Sequence, residues 1–191
     1  MNIIKALSLS GAVLLPSVAA ADWSGFYLGG SLGTVANGSV GIVGEDADIE
    51  SATPFGVFLG YQQQSGRLVY GAEYAIAIDG DITLGDGSNP DTIVYGEGDL
   101  KARVGYDFGD VLAYGVVSSS AVVIADTDED ITASGFGFGF GADYAVSENF
   151  IVGGEFMFRD FEGEYTQDGS PGADDASVSA NSLSIRASYK F

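Results

Sequence analysis

Between Gly135 and Gly141 the chain reads G-F-G-F-G-F-G, with Phe136, Phe138 and Phe140 on one parity and only glycine on the other. A helix would scatter that pattern around its axis. An extended strand turns every second residue to the same side. The rings then need an apolar surface beyond them, and the bare glycine face leaves room for long side chains from neighbouring strands. Any fold for this chain has to supply both.

The same period of two recurs along the sequence, and eight stretches carry it. The first begins near Trp23, with Phe26, Leu28 and Leu32 on a common face. The second sets Phe55, Val57, Leu59 and Tyr61 against Gly56, Gly60 and Gln62. The third sets Leu68, Tyr70, Ala72, Tyr74, Ile76 and Ile78 against Gly71, Glu73 and Ala75. In the fourth, Leu100, Ala102, Val104 and Tyr106 alternate with Asp99, Lys101, Arg103 and Gly105. The fifth, Leu112 to Ile124, is less regular: Ser118 and Ser120 share the parity of Leu112, Tyr114 and Val122, which suggests a bulge or a shift. The glycine-phenylalanine stretch is the sixth. The seventh carries Phe150, Val152, Phe156 and Phe158 against Gly153, Glu155 and Arg159. The eighth closes the chain, alternating Leu183, Ile185, Ala187, Tyr189 and Phe191 with Ser182, Ser184, Arg186, Ser188 and Lys190.

The connections alternate in length. Gln63 to Arg67, Asp107 to Val111 and Ala145 to Asn149 are short polar turns. Asn37 to Ser51, Asp79 to Asp91, Asp126 to Ile131 and Glu162 to Ser179 read as mostly longer loops rich in Asp, Glu, Gly and Ser. Short turns on one side and long loops on the other is the asymmetry of an up-and-down membrane barrel. Greek-key sandwiches do not predict it.

Positive charge is confined in the same way. Of seven Lys and Arg residues, Lys5 lies near the start and Arg67 in a short turn. Lys101, Arg103, Arg159, Arg186 and Lys190 all oppose the aromatic parity. A lipid-facing exterior enforces that, because each cation at the bilayer midplane costs roughly 2–4 kcal/mol. A soluble barrel with an apolar interior would alternate identically, so parity alone does not say which face is outside. The aromatics decide it. Phe26, Tyr61, Tyr70, Tyr106, Tyr114, Tyr144, Phe150, Tyr189 and Phe191 fall at strand ends beside a short turn or a terminus, as an interfacial girdle would.

The first 21 residues read as a targeting segment: Lys5, then the apolar Ala6 to Leu15, then Pro16 and a small-residue cleavage site at Ala19-Ala20-Ala21. The apolar run is too short to span as a helix, which takes about 18 residues or more. The expected division is residues 1–21 as a cleaved signal peptide and residues 22–191 as one barrel domain. The chain has no Cys, so neither disulfides nor thiol chemistry is available. Its net charge of −20 excludes nucleic acid as a partner.

W-S-G-F-Y-L-G-G, Y-G-A-E-Y (Tyr70 to Tyr74), L-K-A-R-V-G-Y (Leu100 to Tyr106), F-M-F-R-D-F (Phe156 to Phe161) and the closing A-S-Y-K-F together resemble the small Gram-negative outer-membrane β-barrel family of opacity and porin-like immunogenic proteins. The resemblance implies an all-β, eight-stranded antiparallel up-and-down barrel in the outer membrane. It implies contact with outer-membrane lipid and lipopolysaccharide, and recognition by the barrel-assembly machinery through the C-terminal strand. It also implies that the chain ends with the barrel, without the periplasmic peptidoglycan-binding domain of longer relatives.

The candidate site is the set of charges on the inward parity: Glu73, Asp99, Lys101, Arg103, Asp143, Glu155, Arg159 and Arg186. An eight-stranded interior is just wide enough for side chains to fill, and buried charge needs partners. These residues therefore read first as a filling ion-pair network and second as the selectivity lining of a narrow pore. The acidic stretches Asp79-Gly80-Asp81 and Asp126 to Asp130 hold carboxylates a hard cation could use. They miss the EF-hand pattern, however: Ile131 stands where the turn glycine belongs, and no Glu closes the loop. They read as solvated surface, and no metal or cofactor is assigned. With no His, neither a Ser-His nor an Asp-His site can be assembled, so the chain is expected not to be an enzyme. A structural or surface-interaction role with acidic loops outside the cell is the leading expectation, and a narrow porin-like channel for small solutes or ions the alternative.

Overall fold

The computed structural model describes residues 22–42, 45–51, 53–84, 93–125, 129–167 and 174–191. The targeting segment, residues 1–21, lies outside them. The strands are β1 (Gly25–Ile42), β2 (Glu45–Ser51), β3 (Phe55–Ser65), β4 (Leu68–Leu84), β5 (Ile93–Asp107), β6 (Val111–Ala125), β7 (Glu129–Ala145), β8 (Phe150–Gln167) and β9 (Asp174–Lys190). Neighbours pair antiparallel, and β9 returns to β1 along a ladder from Tyr27↔Lys190 to Ile42↔Ala176. That ladder closes the sheet into a barrel.

Nine strands make eight staves. β2 and β3 both pair with β1 on one side and β4 on the other, so they are one stave broken near Pro54. A proline has no N–H to give a ladder and is tolerated at such a break. Here its carbonyl still accepts from Gly33 N–H at 2.9 Å.

Alternation sorts the side chains onto two walls. Leu100 and Val104 of β5 are 61 % and 58 % exposed on the outer wall, whereas Lys101 and Arg103 between them are 5 % exposed inside. On β7 the three phenylalanines face out, Phe138 and Phe140 stacking on Phe158 and Phe156 of β8 at ring separations of 5.0 and 5.8 Å. Behind them the glycines give up their space. A β-carbon at Gly141 would overlap the Tyr114 ring, one at Gly139 would overlap the β8 backbone, and one at Gly137 would crowd Arg159.

Three sequence expectations are corrected. In the stretches that read as long loops the described residues are strand: β1, β4 and β8 run on to Ile42, Leu84 and Gln167, while β2, β7 and β9 begin at Glu45, Glu129 and Asp174. Period-two hydrophobicity needs different solvents on the two faces. The ladder needs only backbone N–H and C=O groups, so it continues where the pattern stops. Second, the fifth stretch has neither bulge nor shift. β6 pairs with β5 and with β7 in unbroken register, and Ser118 and Ser120 simply face inward with Leu112, Val116 and Val122. Third, Tyr114 belongs to that inward parity. It is buried in the barrel and is not part of an outer aromatic ring. Hydrophobicity does not mark the parity of β6, because its inward face is as apolar as its outward one.

Candidate functional site: a charged lumen

The eight charged residues singled out on the inward parity are all buried inside the barrel, and they reach one another from β4, β5, β7, β8 and β9. Glu73 is the hub. Arg186 donates to both of its carboxylate oxygens, at 3.0 Å from Nη1 to Oε1 and with a shorter bond from Nη2 to Oε2. Arg103 approaches the same carboxylate at 3.4 Å, and the Tyr27 hydroxyl donates to it at 3.0 Å. Glu155 is a second hub: it takes Lys101 Nζ at 2.6 Å, Arg186 Nη1 at 3.1 Å and the Tyr114 hydroxyl at 3.2 Å. Arg103 reaches across to Asp143 at 2.6 Å, and Arg159 pairs with Asp99 at 2.7 Å. Buried charges survive in low dielectric only when paired and hydrogen-bonded. Every charge of the set has an ion-pair partner, and Glu73 and Glu155 are each shared among several donors. Arg103 Nε and Arg159 Nε are the buried nitrogens left without a hydrogen bond among the described residues.

Aromatic faces add to the hold on two of the cations. The Arg103 guanidinium lies 3.7 Å from the centre of the Tyr114 ring, and that of Arg186 lies 4.0 Å from the Phe58 ring. Ring quadrupoles attract cations most strongly where water is excluded.

Sequence reasoning missed three members of the lumen. Glu97 pairs with Arg159 at 2.9 Å. Its parity matches Asp99 and Lys101, but Gly96 and Gly98 leave the outward face of that stretch without an apolar marker. Tyr27 is an aromatic on the parity opposite Phe26 and Leu28, and hydrophobicity alone does not place an aromatic on a charged face. Trp23, only 1 % exposed, fills the short-turn end of the lumen. It precedes β1, so no periodicity reaches it.

The other predicted aromatics lie outside. Phe26, Tyr61, Tyr70, Tyr106, Tyr144, Phe150, Tyr189 and Phe191 are exposed around the short-turn end. Tyr114 is the exception already noted. At its place in the ring the turn residue Phe108 is exposed, 4.9 Å from Tyr106 ring to ring. Among the described residues no cluster of three or more potential metal ligands is present. The stretch Asp126 to Asp128 lies outside the described residues. Of the other candidate loop acids, Asp79 and Asp81 sit on β4, and Glu129 and Asp130 on β7.

A closed antiparallel barrel, greasy outside and ionic within, defines a transmembrane β-barrel protein. Residues 6–191 match the family model of the outer membrane protein beta-barrel domain, and the chain belongs to that family. It is an integral protein of the outer membrane. A 22 kDa outer membrane protein of Rhizobium leguminosarum bv. viciae is 32 % identical over 184 residues, covering 92 % of this chain and 82 % of the relative. Among solved structures, the outer membrane protein OprG from Pseudomonas aeruginosa superimposes with a TM-score of 0.59 at 15 % identity, over 90 % of this chain and 98 % of that one. Outer membrane protein W of E. coli gives 0.57 at 15 % identity, over 88 % and 98 %. Both likenesses are of fold.

Proposed function

We propose that this protein is a sealed barrel with a structural or surface-interaction role in the outer membrane, neither a conductor nor a catalyst. The observation that carries this reading is the filled lumen. Glu73, Arg103, Arg186, Glu155 and Lys101 cross its middle, and the cavities beside them among the described residues are small: about 60 Å³ beside Glu97, Lys101 and Arg159, and about 10 Å³ beside Gln62 and Ser188. The smaller holds about one water molecule. A solute would have to break several buried ion pairs to pass.

Its partners, on this reading, are outer-membrane lipid and lipopolysaccharide around the aromatic rim, and the barrel-assembly machinery, which would read the C-terminal strand β9 with Phe191. Residues 1–21 act as the export signal, with residues 22–191 left as the barrel. Planar-bilayer recording tests the central point. Purified protein should give no discrete current steps. Reproducible openings that change in Arg103→Ala or Glu73→Ala would replace this reading with the narrow porin-like channel.

A further inference from the structure

We propose that the three residues ahead of β1, Asp22 to Ser24, form an intramolecular stopper that seals the short-turn mouth of the barrel, with Trp23 as its sealing group. The inference deepens the sealed-barrel reading by naming what closes the end the ion pairs do not reach. The Trp23 indole is buried in an apolar cluster with Val69, Leu112, Val116, Ala145 and Ile151, all inward residues of the surrounding staves. The short-turn end of the lumen is thus built around one ring, apart from the ion pairs at its middle.

The ring is tied down from several sides. Its Nε1–H donates to Asp107 Oδ1 at 3.2 Å, and the Trp23 backbone N–H donates to Gln64 Oε1 at 2.8 Å. Gln64 Nε2 donates to the other Asp107 oxygen at 2.9 Å, and Gly109 N–H donates to Asp107 Oδ1 at 2.6 Å. Gln64 N–H donates to Ser24 Oγ at 3.1 Å, and Lys190 Nζ donates to the Asp22 carbonyl. Donors and acceptors from the ends of β3, β5 and β9 therefore converge on three consecutive residues. The chain turns from this segment into β1 at Gly25, whose φ of +131° is a conformation side-chain-bearing residues rarely adopt. A β-carbon there would also sit 2.9 Å from the Phe191 carbonyl oxygen. The bend that folds the segment back into the mouth is built into the backbone. It is not an incidental packing of a loose end.

The chain suits a direct test, since Trp23 is its sole tryptophan and it contains no cysteine. Ser188, 8 % exposed, lines the small cavity with Gln62 and Ile151, inward of the mouth. In Ser188→Cys protein purified from outer membranes, a charged methanethiosulfonate should scarcely react, and adding Trp23→Ala should raise the labelling rate at least tenfold. In the otherwise unaltered protein, Trp23 emission should be blue-shifted and resist iodide quenching. Equal labelling rates with and without Trp23, in barrels that still show heat-modified gel migration, would overturn the proposal, as would iodide quenching equal to that of free N-acetyltryptophanamide. If Trp23→Ala barrels conduct in planar bilayers and the parent does not, the ion-pair network fails as the seal and the stopper stands; a parent that conducts overturns both. Should Trp23→Ala not fold, Asp107→Asn, which weakens the indole's anchor, is expected to raise labelling severalfold.

Discussion

The two walls of β5 are made of alternate residues on one backbone, yet different physics holds them. Leu100, Val104 and Tyr106 are exposed on the outside, and any apolar group of similar size would meet hydrocarbon there equally well. Lys101 and Arg103 on the inside each engage particular carboxylates from other strands. The outer wall is specified by a class of residue, the inner wall by individual partners. The outside should therefore tolerate apolar substitution and reject charge, whereas the inside should reject any change that leaves a charge unmatched.

The largest effect should come from Glu73→Ala. Arg186, Arg103 and Lys101 all lie within ion-pair distance of that carboxylate, and stranding buried cations costs about 3–5 kcal/mol. Denaturant titration in lipid vesicles, read by loss of the heat-modified gel band, measures it. A cost under ~1 kcal/mol would mean that water reaches the network and the comparison is wrong. Next is Phe138→Arg, a charge placed among outward rings, which should cost about 2–4 kcal/mol by the same titration, while Phe138→Leu stays close to the parent. Equal effects of Arg and Leu there would remove lipid from that wall. The smallest is Ser182→Ala, which deletes a hydroxyl accepting from Arg159 Nη1 at 2.8 Å. Arg159 keeps Glu97 and Asp99, so the loss should be about 1 kcal/mol.

The fold was legible because a membrane barrel writes itself in period two wherever one face meets lipid. Phe136 to Phe140, Leu100 to Tyr106 and Leu183 to Phe191 declare both their strands and their outward parity. Where that contrast stops the backbone ladder does not, which is why the pairing of β1 with β2 and the far end of that of β8 with β9 read as loops in the sequence. The inward charges were also legible as a set, since five of the seven Lys and Arg residues oppose the aromatic parity.

What the linear order withheld was partnership. Glu73 meets Arg186 across 113 positions and Trp23 meets Asp107 across 84; only the stagger of the closed ladders brings them together. The same closure put Tyr114 inside, under the Arg103 guanidinium, where hydrophobicity alone placed it with the lipid. Amino-acid order determined which residues could face hydrocarbon, because transfer free energy is a property of each side chain. Which ion answers which, and what stops the mouth, was decided by the barrel's register, because pairing is a property of positions in space.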